Sequence, residues 1–246
     1  MDVPNWIESL RADGALLADA AAATSLDAAV PGCPEWRVRD LVGHVGRVHR
    51  WARTIVVERI DGDGFGKLSE IVGTETPADE VLVDWLRAGH RDLLDALDAA
   101  PADLACFTFM PAPTPLTFWA RRQAHETAVH RVDAEQAAGR ASTVDPQLAE
   151  DGIDELLTGF VPRSRKLRAA QPRTLRIGTG ERHWLVTIGP DLGVTEDDGT
   201  EPADATIGGP AETLYLALWN RLPWDGLTIT GDAELAAYWA RSFRVR

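Results

Sequence analysis

Apolar residues recur at intervals of three and four over most of the first 140 positions, then switch to strict alternation after Arg173. Trp6, Leu10, Leu17 and Ala21 keep helical spacing in an alanine-rich stretch, which predicts a helix over 4–30, broken by Val30-Pro31-Gly32-Cys33-Pro34. Leu41, Val45, Val48, Ala52 and Ile55 predict a second helix over 37–59, with His44 and His49 on opposite flanks of its apolar stripe; Asp61-Gly62-Asp63-Gly64 ends it. Val81, Trp85, Ala88, Leu93 and Leu97 predict a third helix over 78–99. After the Pro-rich loop 111–115, a fourth helix is expected over 117–138, with Gly139 just past its end.

The fourth helix carries two adjacent columns. Phe118, His125, Val129 and Val132 form its apolar arc, and Trp119, Arg122, Glu126, His130 and Asp133 lie beside it. Four long helices joined by connections of varied length predict a four-helix bundle.

Beyond a polar linker at 140–146, a helix is expected over 147–160. Leu175 and Ile177, then Trp184, Val186 and Ile188, alternate with polar neighbours and predict a hairpin closed by 178–182. Further short strands are expected at 192–196 and 204–208, a helix opened by Pro210 at its first position, a last strand around Leu227 and Ile229, and a final helix capped by Asp232 and carrying Leu235 and Trp239. The expected organisation is two domains, an all-α domain over 1–145 and a smaller α+β domain over 146–246.

The 246 residues are 45% hydrophobic and 26% charged, enough to bury a core in each domain. A formal net charge of −13 disfavours a general nucleic-acid surface, which needs a basic face. Only Cys33 and Cys106 are present, with no CxxC pair, which suits a reducing cytoplasm; both read as buried or incidental thiols. No stretch approaches the roughly 18 apolar residues of a membrane helix. The opening MDVPNWIESLRADG is acidic and amphipathic, unlike a secretory leader. Monomer and dimer both remain open.

The chemistry concentrates in AHETAVHRVD, 124–133. On a helix, Glu126 and His130 share a face, so a carboxylate and an imidazole can reach one metal ion. His44 in WRVRDLVGH is a third candidate ligand. Two imidazoles and one carboxylate would hold a divalent ion and leave a position open for chemistry. The competing reading is an exposed charged stripe in which Arg122 pairs with Glu126 one turn away. Asp40 and Asp133, each one turn from a candidate histidine, read either as acceptors that orient the imidazole or as ordinary exposed carboxylates. His125 reads as a packed histidine, and His49, His90 and His183 as structural. The nine tryptophans read mainly as packing residues.

WRVRDLVGHVGRVHRW followed by RRQAHETAVHRVDAE resembles the mycothiol-dependent maleylpyruvate isomerase family of actinobacteria, through Trp36, Asp40-Leu41, His44, His125-Glu126, His130-Arg131 and Asp133. ADATIGGPAETLYLALWNR and LTITGDAELA are similar to the family's C-terminal region, so the likeness spans nearly the whole chain. It implies a DinB-like four-helix bundle followed by a sterol-carrier-like domain, with His44, Glu126 and His130 as zinc ligands. It further implies a catalytic role for Arg221, at the end of the helix opened by Pro210, as a cation for a substrate carboxylate or the thiol; an arginine there also suits free helix-end carbonyls. The implied activity is that of a zinc- and mycothiol-dependent isomerase or thiol S-transferase. In it the metal-held thiol adds to a small, maleylpyruvate-like electrophile; elimination after rotation isomerises it, and retention leaves an S-conjugate. Two rivals are a zinc hydrolase acting through bound water and a non-catalytic stress-response protein binding a metal or a lipid-like ligand.

Overall fold

The structure is a computed structural model and describes residues 1–62, 64, 70, 73, 76–180 and 182–244. Asp63 in the expected helix terminator and Glu181 in the expected hairpin turn lie outside the described residues. The chain divides into two compact units, Met1–Thr143 and Val144–Arg246.

Among the described residues, four long helices build the first unit: α1 (Val3–Ala22), α2 (Val38–Val57), α3 (Asp79–Ala99) and α4 (Pro115–Ala137). α1 packs on α3 and α4, and α2 packs on α3 and α4. α1 stops eight residues short of the expected end at Val30. There Ser25 turns the chain: its carbonyl accepts the Ala28 N–H and its hydroxyl the Asp27 N–H, the local bonds by which a serine competes with a helix. Residues 28–38 then form a loop closed by a bridge between Ala29 and Arg37.

α2 follows the expected stripe, with Leu41, Val45, Ala52 and Ile55 fully buried. α3 buries Leu93 and Leu97 as expected, but its first half turns otherwise: Leu82 and Leu86 are buried, Val81 is exposed, and Trp85 lies under the Arg50 guanidinium. α4 starts earlier than expected because Pro115 sits in its first turn, where its missing N–H costs nothing, behind the Thr114 cap. Gly139 has φ 69°, the left-handed conformation that ends the helix.

The largest departure concerns the charged column of α4. It is not an exposed stripe: Trp119, Arg122, His130 and Asp133 are all buried, like the apolar arc beside them. α4 is enclosed on nearly every side, so its polar groups must find partners inside the protein.

In the second unit, α5 (Pro146–Asp154) runs into a π-helical turn at Glu155–Phe160. Strands β1 (Arg173–Thr179), β2 (Arg182–Ile188), β3 (Leu192–Asp197), β4 (Ala205–Gly208) and β5 (Thr228–Gly231) form one mixed sheet in the order β3-β2-β1-β4-β5. β1 and β4 are parallel and the other pairs antiparallel. Leu175 pairs with Val186 and Ala205, and Ile177 with Trp184 and Ile207, so the alternation seen in the sequence becomes one buried face. Pro210 caps α6 (Ala211–Leu218) rather than opening its first turn, and Asp232 caps α7 (Ala233–Ser242) through the N–H groups of Glu234 and Leu235. No described helix is long and apolar enough to cross a membrane.

Candidate metal centre

His44 stands on the flank of α2's buried stripe, and Glu126 and His130 are one turn apart on the enclosed face of α4. Packing α2 against α4 brings one donor atom from each within 4.8 Å of the others. His44 Nε2 is 3.0 Å from Glu126 Oε1, and His130 Nε2 is 3.4 Å from the same oxygen. Donors about 2.1 Å from a tetrahedral zinc are about 3.4 Å from one another, so the spacing suits a shared ion. Two imidazoles and a carboxylate are also the donor types that nitrogen-preferring divalent metals select.

The groups around the three donors restrict how they can act. His130 Nδ1 is 2.8 Å from Asp133 Oδ2, and Asp133 is fully buried, so an N–H there donates to the carboxylate and Nε2 faces Glu126. Of the two readings of Asp133, the buried partner of His130 is the one realised. Asp40 takes the other: its Oδ2 accepts the Arg37 N–H at 2.8 Å and closes the first turn of α2. Arg122 Nη2 donates to Glu126 Oε2 at 3.1 Å. The expected i,i+4 pair therefore exists, but inside the protein, and it leaves Oε1 to the histidines.

Burial opposes charge on Glu126, yet hydrogen bonds from His130 and His44, with the charges of His130 and Arg122, hold its carboxyl well below the usual range. Burial also opposes charge on His130, but its bonds to Asp133 and Glu126 prevail and raise its pKa. The two flanking carboxylates thus favour the protonated form of His130 in the metal-free protein.

Trp36 covers this cluster. Its ring lies 4.9 Å from His44 and stacks 5.8 Å from His130, centroid to centroid. The turn at Cys33–Trp36, closed by the Trp36 N–H to the Cys33 carbonyl, places it there. Read from the sequence as packing, Trp36 had only its membership in the WRVRDLVGH motif to mark it. Cys33 Sγ is 3.8 Å from Asp133 Oδ2; Cys33 and Cys106 are both half-buried and neither is in a disulfide.

His125 is fully buried, as expected of a packed histidine. His49 is more enclosed than its expected flank position, and its Nε2 is 2.9 Å from the Thr127 hydroxyl. His90 Nε2 donates to the Leu10 carbonyl at 2.9 Å. In the second unit, Arg221 follows α6, its N–H bonded to the Leu216 carbonyl and its Nη1 to the Trp219 carbonyl at 2.7 Å.

Residues 7–135 match the family described as the mycothiol maleylpyruvate isomerase N-terminal domain, and residues 147–238 match that isomerase's C-terminal domain. The chain belongs to the mycothiol-dependent maleylpyruvate isomerase family. It is thus a member of an enzyme family, and its helical first part and mixed five-stranded second part have the fold of that family's solved structures. A mutant mycothiol-dependent maleylpyruvate isomerase is similar at a TM-score of 0.63, with 10% identity and 95% of each chain covered. A second crystal structure of a mycothiol-dependent maleylpyruvate isomerase gives 0.61, also at 10% identity and 95% of each chain. No curated protein sequence matches the chain significantly.

Proposed function

We propose that this member of the family is a zinc- and mycothiol-dependent isomerase or thiol S-transferase acting on a small electrophile of the maleylpyruvate kind. The observation that carries the reading is the convergence of His44, Glu126 and His130 on one point. In this reading a DinB-like four-helix bundle, 1–145, holds the metal, and a sterol-carrier-like domain, 146–246, completes the enzyme. The acidic chain acts in the cytoplasm as a monomer or dimer on small molecules rather than nucleic acid.

When bound, the ion and its thiol partner supply a thiolate at neutral pH, where a free thiol of pKa about 8.5 is mostly protonated, and reversible addition of that nucleophile to a conjugated cis double bond permits rotation. The chain's own side chains prepare the place. Glu126 offers one anionic oxygen to the ion because Arg122 holds the other. Asp133 keeps His130 Nε2 turned toward the site. Trp36 keeps water from one side of the two imidazoles, which strengthens electrostatic interactions there. Arg221 is assigned the part of a cation for a substrate carboxylate, supported by its place at the end of α6 in the matched C-terminal region. The protein's two cysteines take no part; the thiol is borrowed from solution.

Elemental analysis of wild type, His44→Ala and Glu126→Gln, together with maleylpyruvate turnover with and without mycothiol, tests this. The expected result is about one metal per chain in wild type, large loss in both variants, and turnover only with thiol. Full metal occupancy in His44→Ala would remove that ligand, and thiol-independent hydrolysis would replace the proposed chemistry.

A further inference from the structure

His49 is a buried titratable group that the metal chemistry leaves unused. It follows His44 along α2, and both it and Thr127 of α4 are fully buried. Its Nε2 lies 2.9 Å from the Thr127 hydroxyl, and Thr127 directly follows Glu126. A second bond from α2 to α4 thus accompanies the 3.0 Å contact of His44 with Glu126. Burial first, and then the neighbouring His90, keep the His49 ring neutral, so it carries one N–H. Nδ1 is enclosed with no hydrogen-bond partner among the described residues, so an N–H there would be orphaned; the proton sits on Nε2 and is donated to Thr127.

α3 backs the ring. The His49 and His90 centroids are 5.5 Å apart, and His90 Nε2 donates to the Leu10 carbonyl of α1 at 2.9 Å. His90 lies on bare backbone: a Cβ at Gly14 would come within 2.2 Å of its Nε2. α2 also meets α4 through apolar contacts such as Trp51 edge-on to Trp119, 5.1 Å between centroids. Those contacts supply area but little direction. A hydrogen bond is directional: sliding α2 by about 0.5 Å stretches this one beyond its useful range. Metal donors need placement to about the same 0.5 Å. A buried polar pair adds little stability over an apolar pair of the same shape, because both groups give up water. What it fixes is register, as a buried polar residue does in a coiled coil.

We propose that His49 and Thr127 are positioning residues: their bond locks α2 against α4 in the register that brings His44 to Glu126 and His130, before any ion binds. The role rests on the metal-centred reading of the site, and neither residue supplies a donor to the ion.

The test compares wild type with Thr127→Ser, which keeps the hydroxyl, Thr127→Val, which loses it, and the double variant His49→Leu/Thr127→Val, which makes both partners apolar. Cobalt(II), whose visible absorption reports its geometry, is titrated into each metal-free full chain. Thr127→Val and the double variant bind cobalt at least about tenfold more weakly than wild type, and Thr127→Ser stays within about twofold. The double variant melts no lower than wild type, which separates positioning from a contribution to stability. Amide NMR of the metal-free chains gives one resonance per residue over 44–52 and 119–130 in wild type and Thr127→Ser, and doubled or broadened resonances there in the double variant. Unchanged cobalt affinity in the double variant, or equal losses in Thr127→Ser and Thr127→Val, overturns the lock. A double variant that melts lower as it loses cobalt makes the pair an ordinary core contact and also overturns it. If wild type takes up no cobalt, the metal-centred reading falls, and the amide resonances alone decide the pair: a single sharp set in the double variant overturns it.

Discussion

His130 and Asp133 are held 2.8 Å apart on one turn of α4, with the carboxylate fully buried. The pair sets which nitrogen of His130 is presented to Glu126, because an Nδ1–H bound to a carboxylate leaves Nε2 as the donor.

Removing that carboxylate weakens the metal site without touching a donor atom. Asp133→Ala lowers metal affinity about 10- to 100-fold, and Asp133→Asn, which keeps an acceptor but loses the charge, lies between it and wild type. Competition with a chromophoric chelator measures this, and equal affinity in all three proteins would sink it.

The metal-free protein carries its own pH dependence. The raised pKa of His130 contributes stability that is full below about 6.5 and is lost as pH rises through the folded value. The depressed pKa of Glu126 contributes stability present above about 4.5 and lost as pH falls through its folded value. Wild type minus Glu126→Gln therefore shows its largest stability difference in the mildly acidic range, shrinking toward alkaline pH. His49 and His90, kept neutral first of all by burial, pull the other way on acidification, but do so in both proteins. Metal affinity runs opposite, increasing with pH, because bound imidazoles must be neutral. Thermal melts of chelated protein between pH 5 and 9 check this.

Asp13 on α1 has its pKa raised to about 6, first by burial and then by the nearby Glu135, against the opposing pull of Arg131. Arg131 Nε is 2.9 Å from Asp13 Oδ1, and Arg131 Nη1 donates to Glu135. An upward shift means the unfolded chain loses its proton first, so stability falls as pH rises from about 3.8 to 6. Asp13→Asn removes that loss and gains about 1–3 kcal/mol on wild type across that window. Denaturant titrations at pH 4 and pH 7 measure the gain; a difference that does not change with pH contradicts it.

Gly46 is where α2 meets Trp85 of α3; a Cβ there would come within 2.1 Å of the indole ring. That ring is pinned beneath Arg50, whose Nη2 donates to the Trp85 carbonyl at 2.7 Å. Gly46→Ala is expected to destabilise by about 1–3 kcal/mol, at roughly 2–4 °C of melting temperature per kcal/mol. A calorimetric scan with an unchanged midpoint would show that Trp85 yields freely.

Periodicity located most elements because it records which side of each element meets a core. It overran α1, since an alanine-rich run continues the helical pattern past Ala22 and says nothing of the turn that Ser25 makes. It chose Val81 for the face of α3 where the protein buries Leu82, because two adjacent apolar residues fit the same period. For α4 it separated an apolar arc from a charged column, whereas other elements enclose both.

By itself the sequence determined the helical first half, the alternating strands of the second, and the family, through two motifs that place His44, Glu126 and His130 on named helices. Only the tertiary structure decided that these three donors meet, that Arg122 and Asp133 are buried partners rather than surface charges, and that Trp36 lies over the histidines. The reason is physical: spacing along a helix sets the direction of a side chain and its partner one turn away, but the carboxylate that meets His44 comes from 82 residues along the chain, and which side chains are enclosed depends on packing.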